Sequence, residues 1–227
     1  MPTLVASKLE TGLRKDAERN RGLLLVAARE VFGERGIEAS LEEIARRAGV
    51  GIGTLYRRFP SREDLIEALF ESKIEEYVEA SEAGLRAEDP WQGFCAYVSR
   101  ICAMQAEDRG FTDVLTGTFP RVPRLEARRA AVRSNVEELI RRAQAAGGLR
   151  ADFVFGDLVW VLMANGTYLQ ATRDIAPGAW KRYVALIVDG LRAERAGELP
   201  PPPNDRELEQ AIRRVGPGGR VVRARRA

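Results

Sequence analysis

Apolar residues recur along this chain at three- and four-residue intervals almost throughout, and that spacing predicts helices. Leu24, Ala27, Ala28 and Val31 fall at i, i+3, i+4 and i+7 with Phe32 beside them, and Gly36 is placed to end that helix. Ser40-Leu41-Glu42-Glu43 reads as a capping box, with Ser40 at the N-cap and Glu43 returning the bond. It opens a short helix whose inward residues are Leu41, Ile44 and Ala45 or Ala48, stopped by Gly49. A second short helix is predicted from Ile52 to Arg58, ended by Pro60. Ser61 and Asp64 then cap a long helix with Leu65, Leu69, Tyr77 and Val78 on its apolar side.

Asp89-Pro90 reads as a further helix start, since proline at the first helical position loses no hydrogen bond. The helix behind it carries Phe94, Tyr97, Val98 and Ile101. Gly110 to Gly117 is predicted as one or two turns, and Pro120 and Pro123 mark a loop. A charged amphipathic helix is expected from Arg124 to Ala146, ended by Gly147-Gly148. Phe155–Ala171 and Ala179–Glu194 are apolar over more than one face, so both need burial on several sides. From Ala196 the composition turns to Gly, Pro and Arg, too poor in apolar residues to fold alone, with a short helix expected at Asp205–Arg214. No strand-period alternation or internal repeat stands out, so the fold class is all-α.

Composition narrows the chemistry. The 227 residues, 45% hydrophobic and 30% charged, are ordinary for a soluble globular protein of one large or two modest domains. No apolar run is long enough for a membrane span and the first twenty residues hold no signal peptide, so no membrane partner and a cytoplasmic location are expected. The absence of histidine removes the commonest general base and the commonest metal ligand. Cys95 and Cys102 lie seven apart, about 10 Å along a helix, too far for a disulfide and too few for zinc. No cofactor, metal or catalytic residue is expected. Net charge is only +3, yet between Ser40 and Arg62 five arginines face two glutamates. The stretch from Glu63 to Arg195 is net acidic, and after Glu209 six arginines stand with no acid. Local basicity of that kind suits a polyanion partner for a small part of the chain.

The glycines at 49, 51 and 53 raise the question of a nucleotide loop. A dinucleotide fingerprint needs a third glycine where Thr54 stands, a phosphate loop needs a lysine that is missing, and a capped helix precedes Gly49 rather than a strand. Two short helices joined by a glycine turn are instead the arrangement that lays the second helix in a DNA major groove. Tyr56 can offer a hydroxyl to phosphate, and Arg57, Arg58 and Arg62 can neutralise phosphates or reach bases.

The wording of this stretch adds a resemblance. Leu24-Leu25-x-Ala27-Ala28-x-x-Val31-Phe32-x-x-x-Gly36, then Ser40-Leu41-x-x-Ile44-Ala45-x-x-Ala48-Gly49-Val50-x-x-Gly53-Thr54-Leu55-Tyr56-x-x-Phe59-Pro60-Ser61-Arg62-Glu63-Asp64-Leu65, closely resembles the N-terminal domain of the TetR family of bacterial repressors. The match covers about residues 20–70; the remainder is similar only in helicity and length. The resemblance implies a three-helix helix-turn-helix domain at 19–64 and a larger helical effector-binding and dimerisation domain at 65–195; the residues themselves suggest a basic flexible arm at 1–18 and a disordered Pro/Gly/Arg-rich tail at 196–227. It implies that Ser40 caps its helix and touches a phosphate, and that Gly51, Ile52, Gly53 and Thr54 lie at the groove-facing start of the recognition helix. Tyr56 and Arg58 would contact the DNA backbone, Arg57 a base or second phosphate, and Arg62 a phosphate, while Leu55 and Phe59 are core. Two departures stand out: Gly51 where the family often has serine or alanine, and Arg58 where it often has histidine.

The same resemblance implies a homodimer on a palindromic operator and a small-molecule pocket. For the interface, Phe155, Leu158, Val159 and Leu162 with Trp180, Tyr183, Val184 and Ile187 suit a four-helix contact between two subunits. For the pocket, Phe94, Val98, Ile101, Phe111, Leu115, Val136, Ile140, Met163 and Tyr168 are apolar or aromatic, and Asn165 is a polar residue in an apolar helix. Few polar groups are available to be buried, which favours an apolar or aromatic effector. Two other classes stay open from sequence: a DNA-binding dimer controlled by a protein partner docking on the Arg-rich tail, and a helical enzyme. The adjacent acid pairs Glu42-Glu43, Glu75-Glu76 and Glu137-Glu138 argue against the enzyme, because i,i+1 side chains on a helix face apart.

Overall fold

The computed structural model describes the backbone of residues 3–35, 38–107, 123–216 and 220–221. Its chain divides into two units, Met1–Leu69 and Phe70–Ala227.

The first unit is built from α1 (Thr3–Arg35), α2 (Leu41–Arg47), α3 (Ile52–Arg58) and the opening of α4 (Arg62–Arg86). Its buried residues are the predicted stripe of α1, Leu24, Ala27, Ala28, Val31 and Phe32, with Leu41, Ile44 and Ala45 of α2, Leu55 of α3, and Leu65, Ile66 and Leu69 of α4, and α2 packs on both α1 and α3. Phe59, just past α3, is buried with them. The helix predicted around Leu24 reaches back to Thr3, so the stretch read as an arm is the front of α1.

The caps of α2 and α4 follow the sequence signals with one change. The Ser40 side chain accepts from the Glu43 N–H at 3.3 Å, as an N-cap should. The Glu43 carboxylate, however, does not return the bond; it takes the Arg35 guanidinium of α1 at 2.6 Å, and the Ser40 hydroxyl donates to Glu42 instead, also at 2.6 Å. A cation within reach outbids a neutral backbone N–H for a carboxylate. Ser61 and Asp64 do form the reciprocal pair: Asp64 N–H donates to Ser61 Oγ at 3.1 Å, and Ser61 N–H to Asp64 Oδ2 at 3.0 Å. Gly49 has φ +68°, with its N–H bonded to the Arg46 carbonyl and the Val50 N–H to that of Ala45. That is the paired-bond helix ending which wants glycine.

The second unit holds the remainder of α4, then α5 (Pro90–Glu107), α6 (Pro123–Ala145), α7 (Phe155–Thr172), α8 (Ala179–Gly190), a short 3-10 turn (Ala193–Arg195) and α9 (Asp205–Arg214). Asp89 caps α5 by accepting from the N–H groups of Trp91 and Gln92. Pro123, predicted to mark a loop, is the first residue of α6, where its missing N–H is harmless. α6 ends at Gly147, φ +71°, with the same paired bonds as α2. α8 stops at Gly190, earlier than the apolar pattern predicts. α5 is the central element and packs on α6, α7 and α8.

The C-terminal segment has more structure than its composition predicts. The buried Arg150 guanidinium pairs with Asp152 and also donates to the Gly197 carbonyl at 2.6 Å, which ties the chain beyond α8 to the loop before α7. Asn204 and Glu207 cap α9 reciprocally, and Leu208 is buried near Gly156. Val215–Gly216 and Arg220–Val221 pair as a minimal antiparallel ribbon. No described helix is long and apolar enough to cross a membrane.

Candidate nucleic-acid interface and candidate effector core

α3 is held by one buried side chain, Leu55, with Phe59 behind it at the i+4 position. That anchoring turns the opposite face outward. Gly51, Ile52, Gly53, Tyr56, Arg57 and Arg58 are all exposed, and Thr54 is half-buried. Ile52 and Tyr56, at 36% and 46% exposure, are large apolar surfaces one helical turn apart on a seven-residue helix. Exposing such side chains in a row is a cost unless something covers them. Gly51 is the N-cap, in extended backbone (φ −71°, ψ 148°), and no atom lies within 4 Å of where its Cβ would sit. The same open space surrounds Gly53.

The arginines of this unit divide into two sets. Arg47 makes a bidentate bond to Glu34 of α1 at 2.7 and 2.9 Å, which holds the Glu34 carboxyl below the usual carboxylate range. Arg35 is bonded to Glu43, so the two pairs cross-link α1 and α2. Arg62 reaches back to the Ala39 carbonyl at 2.7 Å and steadies the residue ahead of α2. Arg47 and Arg62, counted from sequence as local positive charge, are thus engaged within the domain. Among the described residues Arg57 donates within its own helix, to Thr54 Oγ1 at 3.0 Å, and Arg58 is exposed. The Ser40 hydroxyl proton is already used by Glu42, whose carboxyl it holds low together with the Arg62 charge. Within the predicted set, α3 therefore leaves Gly51, Ile52, Gly53, Tyr56, Arg57 and Arg58 exposed, while Ser40 and Arg62 serve first as structural braces.

In the second unit, Phe94, Val98, Ile101, Val136 and Ile140 are all buried, and Phe94 stacks on Trp91 and meets Phe153 edge to face. Met163 is half-buried. Tyr168 does not join them: it lies on the outer side of α7, 36% exposed and stacked on Tyr183 of α8 with ring centroids 5.4 Å apart. Phe111 and Leu115 lie outside the described residues. Asn165 is fully buried and donates its Nδ2 to Gln105 Oε1 at 2.8 Å, while Gln105 Nε2 donates to the Leu162 carbonyl at 3.0 Å. Gln105 escaped the sequence reading, although it falls at i+4 from Ile101, on the inward stripe of α5.

Along α7 and α8, Leu158, Leu162 and Val184 are buried in the protomer's own core, so they leave the set available to a second subunit. The helices turn one row inward toward α5, as their all-round apolarity required. Phe155, Val159, Trp180, Tyr183 and Ile187 stay half-exposed, joined by Val154 at 39% and Leu186 at 62%, two residues the pattern reading missed. The Arg133 guanidinium of α6 lies 4.7 Å over the Phe155 ring.

Comparison with known proteins agrees with this division. Residues 24–69 match the model of bacterial regulatory proteins of the tetR family, and residues 89–193 match the C-terminal domain described as transcriptional regulator SbtR-like. The two matches together take in more than half of the chain. An HTH-type transcriptional regulator of Staphylococcus aureus (strain USA300) is 36% identical over 67 residues, 29% of this chain. That match spans 36% of the relative's own length. A TetR transcription regulatory protein from Mycobacterium vanbaalenii is 33% identical, with 79% of this chain and 99% of that one covered and a TM-score of 0.46. The ketosteroid transcriptional regulator KstR2 of Mycobacterium tuberculosis shares the fold at a TM-score of 0.58 and 20% identity, with 76% of this chain and 94% of that one covered.

Proposed function

The chain belongs to the TetR family of transcriptional regulators and carries its DNA-binding helix-turn-helix, and from that premise we propose that it is a homodimeric repressor released from a palindromic operator by a small apolar or aromatic effector. The observation that carries the DNA half of this reading is the outward face of α3. Ile52 and Tyr56 supply contact surface, Arg57 and Arg58 supply charge, and Gly51 and Gly53 keep the front of the helix thin so that its backbone can come close to phosphate. The half-exposed apolar row of α7 and α8, from Phe155 and Val159 to Trp180, Tyr183 and Ile187, supports a second copy as the partner. Two-fold symmetry then demands half-sites about 34 Å apart or a multiple of that distance.

Release follows from linkage. The effector binds one conformer of the dimer better than the other and shifts the population away from the spacing the operator needs. A ligand with equal affinity for both conformers leaves the operator bound. Selecting bound fragments from a pool of genomic DNA tests the reading: a palindrome is expected, bound with an affinity that falls steeply with salt. Failure to retain any fragment overturns it. Release from that fragment by a metabolite extract, and not by the extract's protein fraction, assigns control to a small molecule.

A further inference from the structure

We propose that the effector core reads a hydrogen-bond donor on its ligand through Asn165 Oδ1, so that the effector is a neutral apolar molecule carrying a hydroxyl or N–H group. This rests on the small-molecule reading above and narrows it. The amide orientations follow from the bonds. The Leu162 carbonyl can only accept, so Gln105 must turn its Nε2 toward it. Gln105 Oε1 then faces Asn165 and can only accept, so Asn165 must present its Nδ2. The Cys102 carbonyl, 3.5 Å away, lies on the side of the same nitrogen. One group is left over: Asn165 Oδ1 is closed off from solvent and has no hydrogen-bond partner among the described residues.

A buried acceptor without a donor is uncommon and destabilises the state that contains it. It is also a ready source of differential affinity. A ligand whose O–H or N–H reaches Oδ1 satisfies the group, whereas an ether or ketone brings only another acceptor. A carboxylate would set its negative charge against the amide oxygen and bring no donor to it. The lock matters as much as the oxygen: Gln105 prevents the Asn165 amide from turning to offer its nitrogen.

The test is calorimetric titration of the full-length protein with neutral alcohols and their methyl ethers: cyclohexanol, 2-naphthol and decan-1-ol. For at least one pair the alcohol is expected to bind about tenfold or more tightly than its ether, as buried polar recognition normally discriminates. Asn165→Leu should bring the two affinities together. Gln105→Met, which frees the amide to turn, should let the ether gain on the alcohol while Asn165 remains; a purely structural role for the pair would weaken both ligands alike. Equal affinities across all three pairs in the unaltered protein, no binding by any member, or a preference that survives Asn165→Leu overturns the inference. If these probes fail while a metabolite extract still releases operator DNA, the regulator reading stands and only the donor inference falls.

Discussion

α2 and α3 are both seven residues long, both end in Arg-Arg, and both belong to one small core, yet they are put to opposite uses. α2 buries Leu41, Ile44 and Ala45, is capped by a side chain, and has its last arginine clamped to Glu34. α3 buries only Leu55, is capped by a glycine without a side-chain bond, and leaves both arginines on the surface. The difference lies in what stands opposite each helix. α1 presents Glu30, Glu34 and Arg35 to α2, so charge is consumed in the fold. No such acid among the described residues is paired with Arg57 or Arg58. Identical dipeptides thus carry different meanings, and the neighbouring helix decides between them.

The sharpest way to break the comparison is to remove the one anchor of α3. Leu55→Ala deletes a fully buried side chain and should cost about 2–5 kcal/mol of stability, as large-to-small changes in cores do. Denaturant unfolding of the variant would show it as a lowered midpoint. A loss well under 1 kcal/mol would mean that α3 is docked by something other than Leu55. Next in size is Arg58→Ala. It should leave the unfolding midpoint nearly unchanged, weaken operator binding for all sequences alike, and reduce the salt slope of binding by about 1. An unchanged slope would take Arg58 off the phosphate backbone.

How much of this was legible in the sequence depends on whether a signal is local. The stripe of α1, the caps at Ser40, Ser61 and Asp89, and the glycine endings at 49 and 147 are written within a few residues, and the structure has them there. Spatial competition is not local. Glu43 reads as the reciprocal half of a cap, but Arg35, eight residues earlier, comes within 2.6 Å and takes the carboxylate. Arg47 reads as free charge until α1 folds against it. The apolar helices α7 and α8 announce that several faces need cover, but not which row faces inward; Leu158 and Val184 go to the core while Leu186 stays out. Asn165 is visible as a polar residue in an apolar helix, yet its partner is sixty residues away.

A subtler break is Arg47→Ala, the mirror image of Arg58→Ala. It removes the bidentate bond to Glu34 and should lower stability modestly while the salt slope of operator binding is retained. The linkage has a definite sign. The Glu34 carboxyl is held low by the Arg47 hydrogen bond, so the stabilisation it brings is present above the unfolded carboxylate range and is lost as pH falls through the folded value. The variant should therefore converge with the unaltered protein in acid. A difference that persists there would mean that Arg47 acts through the packing of its stem rather than its charge.

The smallest expected effect is also the most informative about α3. Gly51 holds the N-cap position in extended backbone that any residue adopts, and a side chain there meets no atom within 4 Å. Serine is a better cap than glycine by a few tenths of a kcal/mol, because its oxygen accepts from the N–H of the second or third residue of the helix. Gly49 offers no such freedom: its φ of +68° strains any side chain, so the two glycines, two residues apart, are kept for different reasons. Gly51→Ser should raise the unfolding midpoint slightly and retain or strengthen operator binding, since the hydroxyl it adds also stands at the phosphate-facing end of the helix. If the variant is as stable as expected and yet binds the operator poorly, the backbone of α3 must come closer to DNA than one hydroxymethyl group permits, and the missing cap of α3 is what that approach requires.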